Sequence, residues 1–202
     1  MKEQSSGLVD AVYPTPLSLG ALTRIFRDLL ADGVPIAHPV PILSALAQGV
    51  LQTLDHERLV ELVRADLGPL LVGRICPPGA RLPVLTLDAQ LEAAIVQGLS
   101  DPATGQPVVE PDLARAIGDH VADLINARGI DAAPLAMVVQ PRARRALAAL
   151  LRMRAPGCLV LSIAELPQSQ PIEVLSVIGG PADPPALPPP ANYVSQAERV
   201  AA

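Results

Sequence analysis

The chain has 202 residues and a formal net charge of −5, and half of its residues are hydrophobic although only 1% are aromatic. A nucleic-acid binder needs a concentrated basic surface and aromatic groups on which bases stack, so this composition argues against that class. The length is sufficient for two small domains, each with a core of its own.

The sequence contains no membrane signal. No apolar stretch reaches the roughly 20 residues of a membrane helix, and the N-terminal residues lack the apolar segment of a signal peptide. Cys76 and Cys158 are isolated and lack CxxC spacing, which favours two buried thiols in a reducing compartment over a disulfide. We therefore expect a cytoplasmic chain without direct membrane insertion.

Apolar residues at helical spacing predict a small N-terminal bundle. The first helix spans residues 18–33, with a serine cap at its start and a glycine at its end. The second follows Pro41, and Pro39 fits only if both prolines lie in the first turn, where a missing amide costs little. The third follows Asp55 and ends at the Gly-Pro pair that begins with Gly68.

Strands enter the pattern after this bundle. Residues 84–87 form a short apolar strand, and Asp88 is suited to cap the next helix. Pro111 then opens a helix at its first position. Residues 136–167 are typical of a strand, an arginine-rich helix and a second strand. A last strand over residues 172–179 completes a small mixed sheet flanked by helices.

The predicted fold class is therefore α+β. Residues 1–83 form a small helical bundle, and residues 84–180 form a small mixed α/β domain. Residues 181–202 are rich in proline and predict a disordered tail.

The sequence offers no signature of catalysis or of a cofactor. The turn between the strand and helix of residues 136–154 has no glycine that would let backbone amides approach a phosphate. The three histidines are scattered, without metal-ligand spacing, and no G-x-S-x-G motif is present. We therefore expect no catalytic residue, no cofactor site and no metal site, and a protein that is not an enzyme.

The helix of residues 141–154 places Arg142, Arg145 and Arg152 on one face, opposite its leucines. One interpretation is a solvated basic face. The other is a contact surface for an acidic partner or a neighbouring subunit.

Several stretches resemble, in order, the C-terminal cytoplasmic part of the type III secretion export-gate proteins, the flagellar, hypersensitive-response and invasion protein export family. They are "LSLGALTRIFRDLLADGVPIAHPVPILSALAQ", "HERLVELVRADLG", "VEPDLARAI" and "PLAMVVQPRARRALAALLRMRAPGCLVLSIAELPQSQPIEVLSVIG". The resemblance runs from about residue 8 to residue 179 and rests on the order and spacing of several blocks.

In that family, a bundle of membrane helices precedes four cytoplasmic subdomains, which assemble into a nonameric ring at the cytoplasmic face of the bacterial inner membrane. The resemblance implies that this chain corresponds to the third, helical subdomain and the fourth, α/β subdomain. It further implies contacts with other gate subunits and docking of export chaperones, cargo and other secretion apparatus proteins. Because the helical subdomain supplies ring contacts in the family, it points to Arg24, Arg27 and Asp28.

A competing hypothesis is a stand-alone regulatory adaptor or a small-molecule enzyme that uses the α/β unit. An enzyme needs a concave polar site, and we expect it to bring His120, Asp119 or Cys158 together. Scattered positions for these side chains favour the export gate.

Overall fold

The computed structural model describes residues 7–37, 39–98, 100–101, 108–129 and 134–180. A short helical turn at residues 7–10 comes first. The helices that follow are α1 Leu19–Ala31, α2 Pro39–Gly49, α3 His56–Asp66, α4 Gly68–Ile75, α5 Ala89–Gln97, α6 Pro111–Arg128 and α7 Pro141–Arg154. The strands are β1 Leu82–Leu87, β2 Leu135–Val139, β3 Cys158–Ser162 and β4 Ile172–Ile178, and a 3-10 turn spans Ile163–Glu165.

Side-chain caps fix where several helices begin. The Ser18 hydroxyl accepts a hydrogen bond from the Ala21 N–H at 3.2 Å, and Asp55 accepts one from the Arg58 N–H at 2.9 Å. Asp88 accepts from two amides in the first turn of α5. Each cap satisfies amides that have no acceptor within the helix. The predicted start of the first helix at Ser18 and the predicted cap at Asp88 are confirmed.

Proline has two effects in the N-terminal helices. α2 begins at Pro39, so both prolines lie in its first turn, as the sequence required. The pair that begins with Gly68 does end α3, but it also opens α4, a helix that the sequence pattern did not predict. Proline suits the first turn of a helix because the amide it lacks would have no intrahelical acceptor there.

The four strands form one sheet in the order β3-β2-β1-β4. All three described strand pairs are parallel, which corrects the expected mixture of strand directions. Helical connections lie between β1 and β2 and between β2 and β3, and such crossovers return the chain to the same end of the sheet. The α+β class of the whole chain is confirmed.

A hydrophobic core lies on each face of the sheet. Alternation along β1 turns Leu82 and Val84 to the face that packs against the N-terminal helices, and Leu85 and Leu87 to the face covered by α5, α6 and α7. The five residues of β2 are all buried because both faces are covered there. The first core thus continues across residue 83, and the division of the chain into domains at that residue stays a prediction.

The start of α4 fits closely against the 3-10 turn. A Cβ atom at Gly68 would lie 2.0 Å from the carbonyl oxygen of Glu165, so only glycine allows this approach. The contact brings the helical part of the chain directly against the segment after β3.

In the part of the chain that the structure describes, no helix is both long and apolar enough to cross a bilayer. The predicted tail, residues 181–202, lies outside the described residues.

Candidate functional site

A buried ion network lies where the N-terminal helices meet the α/β unit. It comprises Arg64, Arg144, Asp32, Glu61 and Glu165, of which both arginines and Glu165 are buried, whereas the Glu61 side chain is 27% exposed. The Arg64 guanidinium donates from Nε to Glu165 Oε1 at 3.0 Å and from Nη2 to Glu165 Oε2 at 3.1 Å. Both side chains are buried, and the paired geometry matches the two carboxylate oxygens to two guanidinium nitrogens.

Arg144 is the second guanidinium of the network and is also fully buried. Its Nε donates to Glu61 Oε2 at 2.8 Å, and its Nη2 contacts the other oxygen of Glu61. Its Nη1 lies 2.9 Å from Asp32 Oδ2 without the alignment of a hydrogen bond, so this contact is one of charge. Its Nε lies 3.8 Å from Glu165 Oε1, which links the two halves of the network.

Burial and charge act in opposite directions on this network. Burial raises the pKa of the Glu165 carboxyl above its ordinary value, since the loss of hydration outweighs the attraction of Arg64 and Arg144. Burial alone would lower the pKa of Arg144, but the hydrogen bond and charge of Glu61, with Asp32 and Glu165 nearby, raise it instead. Arg144 therefore stays charged, while Glu165 is a carboxyl whose ionised form is disfavoured by its surroundings.

The network joins elements that are distant in sequence. Asp32 follows α1, Glu61 and Arg64 lie on α3, Arg144 lies on α7, and Glu165 ends the 3-10 turn. A buried charge without a partner raises the free energy of the folded chain. These elements can therefore separate only if the charged side chains of the network become exposed to water. The arrangement fixes the N-terminal helices on the sheet.

A second group of ion pairs surrounds the buried network. Arg145 contacts Asp28 at 3.3 Å and Glu57 at 3.1 Å, and His56 Nε2 lies 2.8 Å from the same Asp28. Arg152 donates to Asp32 Oδ1 at 2.9 Å. These contacts again join α7 to α1 and α3.

The predicted basic face of α7 is therefore partly internal. Arg145 and Arg152 carry ion pairs within the chain, a possibility that neither of the two sequence interpretations included. Arg142 is exposed, as are Arg24 and Arg27 on α1, whereas Asp28 is half-buried and shared between His56 and Arg145. A role of these residues in binding a partner or in ring contacts stays a prediction.

The side chains named for an enzyme site do not converge. His120 lies in a groove between β4 and helices α5 and α6, whereas Cys158 lines a separate cavity of about 140 Å³ beside Asp32. Asp119 pairs with Arg154 at 2.9 Å. Burial raises the pKa of Cys158 to about 12, which leaves it a weak nucleophile at neutral pH.

No cluster of three potential metal ligands occurs among the described residues. Cys76 and Cys158 are both free thiols.

The sequence pattern did contain a signal for the buried arginines. Arg144 lies three residues before Leu147 and seven before Leu151, which puts it on the apolar stripe of α7 rather than on the basic face. Arg64 follows Val60 by four residues on α3 in the same way. A charged residue in an apolar stripe indicates a buried ion pair, but it does not identify the partner.

Comparison with known proteins identifies the family of this chain. A model of the FHIPEP family matches residues 1–171. The chain belongs to the FHIPEP family. This confirms the resemblance seen in the sequence.

Named relatives within the FHIPEP family are much longer than the matched region. The flagellar biosynthesis protein FlhA of Salmonella typhimurium strain LT2 is 28% identical over 180 residues, which is 89% of this chain and 25% of that protein. FlhA of Bacillus subtilis strain 168 is 27% identical over 179 residues, 88% of this chain and 26% of that protein. This chain thus spans about a quarter of the length of these relatives.

Solved structures share the FHIPEP fold. MxiA of Shigella flexneri matches with a TM-score of 0.74 at 23% identity, covering 88% of this chain and 57% of that one. The nonameric EscV cytosolic domain of the type III secretion system matches with a TM-score of 0.71 at 20% identity, covering 89% of this chain and 53% of that one. A structure of the CdsV and CdsO complex of Chlamydia pneumoniae matches with a TM-score of 0.71 at 21% identity, covering 88% of this chain and 51% of that one. At these identities the likeness establishes the fold alone.

Proposed function

We propose that this chain acts in the cytoplasm as a non-enzymatic part of a type III secretion export gate, through contacts with other proteins. The observation that carries the proposal is the family match over residues 1–171. The solved structures support it, since one of them is a nonameric cytosolic domain and another is a complex with a second protein.

The buried ion network supports a role as a rigid building block. It holds α1 and α3 against α7, so the exposed residues of α1 keep a fixed position relative to the sheet. A ring needs such fixed geometry because a small change of angle in each subunit accumulates around a closed assembly. In this proposal the exposed Arg24 and Arg27 on α1 contact a neighbouring subunit, with the half-buried Asp28 at the edge of the same surface.

The exposed Arg142 at the start of α7 is the second proposed contact. Export chaperones, their cargo or other secretion apparatus proteins bind here through an acidic surface, and Arg145 and Arg152 add to the local positive field. Because Arg145 and Arg152 already have acidic partners in the chain, we assign Arg142 the larger share of the binding energy.

Self-association of the purified chain tests the ring contact. Sedimentation velocity over a concentration series compares the wild type with the double variant Arg24→Glu and Arg27→Glu. We expect weak association of the wild type that this double variant abolishes. The control is Arg58→Glu with Arg81→Glu, which reverses the same number of exposed charges elsewhere.

Two results would count against the ring contact. One is a wild type whose sedimentation does not depend on concentration. The other is equal loss of association in both double variants, which would indicate a nonspecific effect of net charge.

Titration of a purified export chaperone with its bound cargo tests the second contact. Arg142→Glu is expected to weaken binding and Arg115→Glu, an exposed charge on α6, to leave it unchanged. Equal affinity of the wild type and Arg142→Glu would exclude this surface.

A further inference from the structure

β4 is an exposed edge of the sheet. It pairs with β1 on one side, and within the described residues no strand lies on its other side. An edge strand presents unpaired N–H and C=O groups in the geometry that a further strand requires. With seven residues, β4 is the longest strand of the sheet, and it offers such groups on both sides of a register shift at Leu175.

The hydrogen bonds to β1 show which groups of β4 point outward. The carbonyl of Pro171 accepts from the Leu82 N–H at 2.9 Å, and the carbonyl of Ile178 accepts from the Asp88 N–H at 2.8 Å. Main-chain groups alternate in direction along a strand, so the N–H of Val177, next to Ile178, points away from β1. At the other end of the strand, the N–H of Ile172, next to Pro171, points outward for the same reason. Both ends can do so because Leu175 has no partner in β1, and the register shifts there by one residue.

One face of β4 carries an exposed apolar stripe. Ile172, Val174 and Val177 are 45%, 49% and 49% exposed. The first two stand opposite Leu82 and Val84 of β1, which are buried under the N-terminal helices. The helices therefore cover this face at β1 and leave it open at β4. Natural edge strands usually carry lysines, prolines, inward charges or bulges that hinder pairing. β4 has Glu173 as its single charged residue and one register shift, at Leu175.

A groove of about 810 Å³ runs along β4 and is lined by Leu91 of α5, Leu113 of α6 and the strand itself. Asp88 is the one carboxylate among the described residues that line it. Glu173 lies outside the groove and is exposed on the face of β4 opposite the apolar stripe, where it pairs in register with Pro83. No arginine or lysine is among the described residues that line it.

We propose that β4 is a docking edge for an extended segment of a partner protein, which adds to the sheet as a fifth strand. The free main-chain groups require the partner to be a strand, because only a strand can satisfy them in sequence. The exposed stripe requires apolar residues at alternate positions, and Glu173 with Asp88 favours basic residues at the positions between. This surface lies apart from Arg142 and from Arg24 and Arg27, so it is separate from the contacts of the proposed function.

A short synthetic peptide provides the probe. The nine-residue sequence KVKVKVKVK, with a fluorescent label, places valines on the apolar face and lysines on the face of Glu173 when it pairs with β4. Fluorescence anisotropy with the full chain is expected to show saturable binding. The control peptide EVEVEVEVE keeps the apolar alternation and reverses the charge, and we expect it to bind at least about tenfold more weakly.

Two substitutions at one position test the pairing itself. Val177→Pro removes the outward N–H but keeps the hydrogen bonds to β1. Proline is tolerated in edge strands at positions whose N–H points away from the sheet. Val177→Ala removes apolar surface and keeps the N–H. Since the proline variant loses a backbone hydrogen bond that the alanine variant keeps, we expect it to bind the basic peptide about fivefold more weakly than the alanine variant.

A second measurement keeps the test valid if Val177→Pro fails to fold. The basic peptide with N-methyl groups on alternate amides keeps its side chains and charge but cannot pair along one edge. With the wild-type chain, we expect this peptide not to bind and the unmodified peptide to slow hydrogen exchange at Ile172 and Val177.

Three outcomes would overturn the proposal. They are equal binding of the methylated and unmodified peptides, equal binding of the two Val177 variants, and peptide-induced aggregation without exchange protection in β4. None of them bears on ring association or on chaperone binding, so the two proposals fail independently.

Discussion

Replacing Arg144 by methionine is the most direct perturbation of the ion network. Methionine keeps much of the volume of the side chain and removes the charge. The guanidinium it removes is fully buried, donates to Glu61 at 2.8 Å and lies 2.9 Å from the Asp32 carboxylate. After the change, three carboxylates face Arg64 as the one remaining cation of the network.

The size of the effect follows from burial. Removing one partner of a fully buried ion pair costs about 3–5 kcal/mol because the remaining charge is left without compensation. Glu61 is 27% exposed and Asp32 keeps Arg152 as a partner, so we expect the lower end of that range for Arg144→Met. Arg145, the next residue on α7, supplies the matched control. Its partners Asp28 and Glu57 have side chains that are 35% and 32% exposed. Such pairs are screened by water and contribute about 0–1 kcal/mol, so Arg145→Met should be nearly neutral.

Urea denaturation followed by far-UV circular dichroism measures both variants. We expect Arg144→Met to lower the free energy of unfolding by about 3 kcal/mol and to leave the denaturant dependence unchanged. If Arg144→Met loses no more stability than Arg145→Met, burial does not determine the strength of these pairs and the reasoning is wrong.

Three further predictions concern neighbouring features. Gly68→Ala should lower the free energy of unfolding by about 3 kcal/mol through overpacking, since its Cβ would lie 2.0 Å from the Glu165 carbonyl oxygen. Gly73→Ala is the control: its Cβ meets nothing within 4 Å, so thermal melting should show this variant to be neutral or stabilising. Equal melting temperatures of the two variants would contradict the close contact. Burial raises the pKa of Glu165 in the folded chain, so folding favours its protonated form. The contribution of Glu165 to the free energy of unfolding should therefore fall as the pH rises from the ordinary pKa of a glutamate through the raised one, and unfolding curves measured across pH should lose that slope in Glu165→Gln. Superimposable pH profiles of the wild type and Glu165→Gln would contradict the raised pKa. Burial raises the pKa of Cys158 to about 12. Its thiol should therefore react with dithiobis(nitrobenzoate) at pH 8 far more slowly in the native chain than in urea. Comparable rates in the two conditions would show that the thiol is accessible.

Local chemistry in the sequence predicted much of the fold. The serine cap of α1, the Asp88 cap of α5 and the proline that opens α6 act within one turn, so their effect can be read without knowing the tertiary structure. α4 was missed because a Gly-Pro pair can end one helix and open another, and eight residues are too few for a clear periodic pattern.

Long-range pairing could not be predicted in the same way. The position of Arg144 in an apolar stripe indicated burial, but its partners Asp32 and Glu61 lie after α1 and on α3, more than 80 residues away in sequence for Glu61. The parallel direction of β4 also depended on a long crossing from one edge of the sheet to the other, which no local signal specifies. The interaction surfaces are harder still, because exposure depends on which elements cover each other.

The separation of Arg64 and Glu165 by 101 positions has a consequence for biosynthesis. When a ribosome has released α3, the carboxylate of Asp32, which lies 3.8 Å from Arg64 in the folded chain, is already made, but that of Glu165 follows 101 residues after Arg64. Until then the N-terminal helices lack the paired hydrogen bonds that satisfy this buried guanidinium, and we expect them to pack loosely. Chains interrupted before the 3-10 turn should therefore be open to proteolysis.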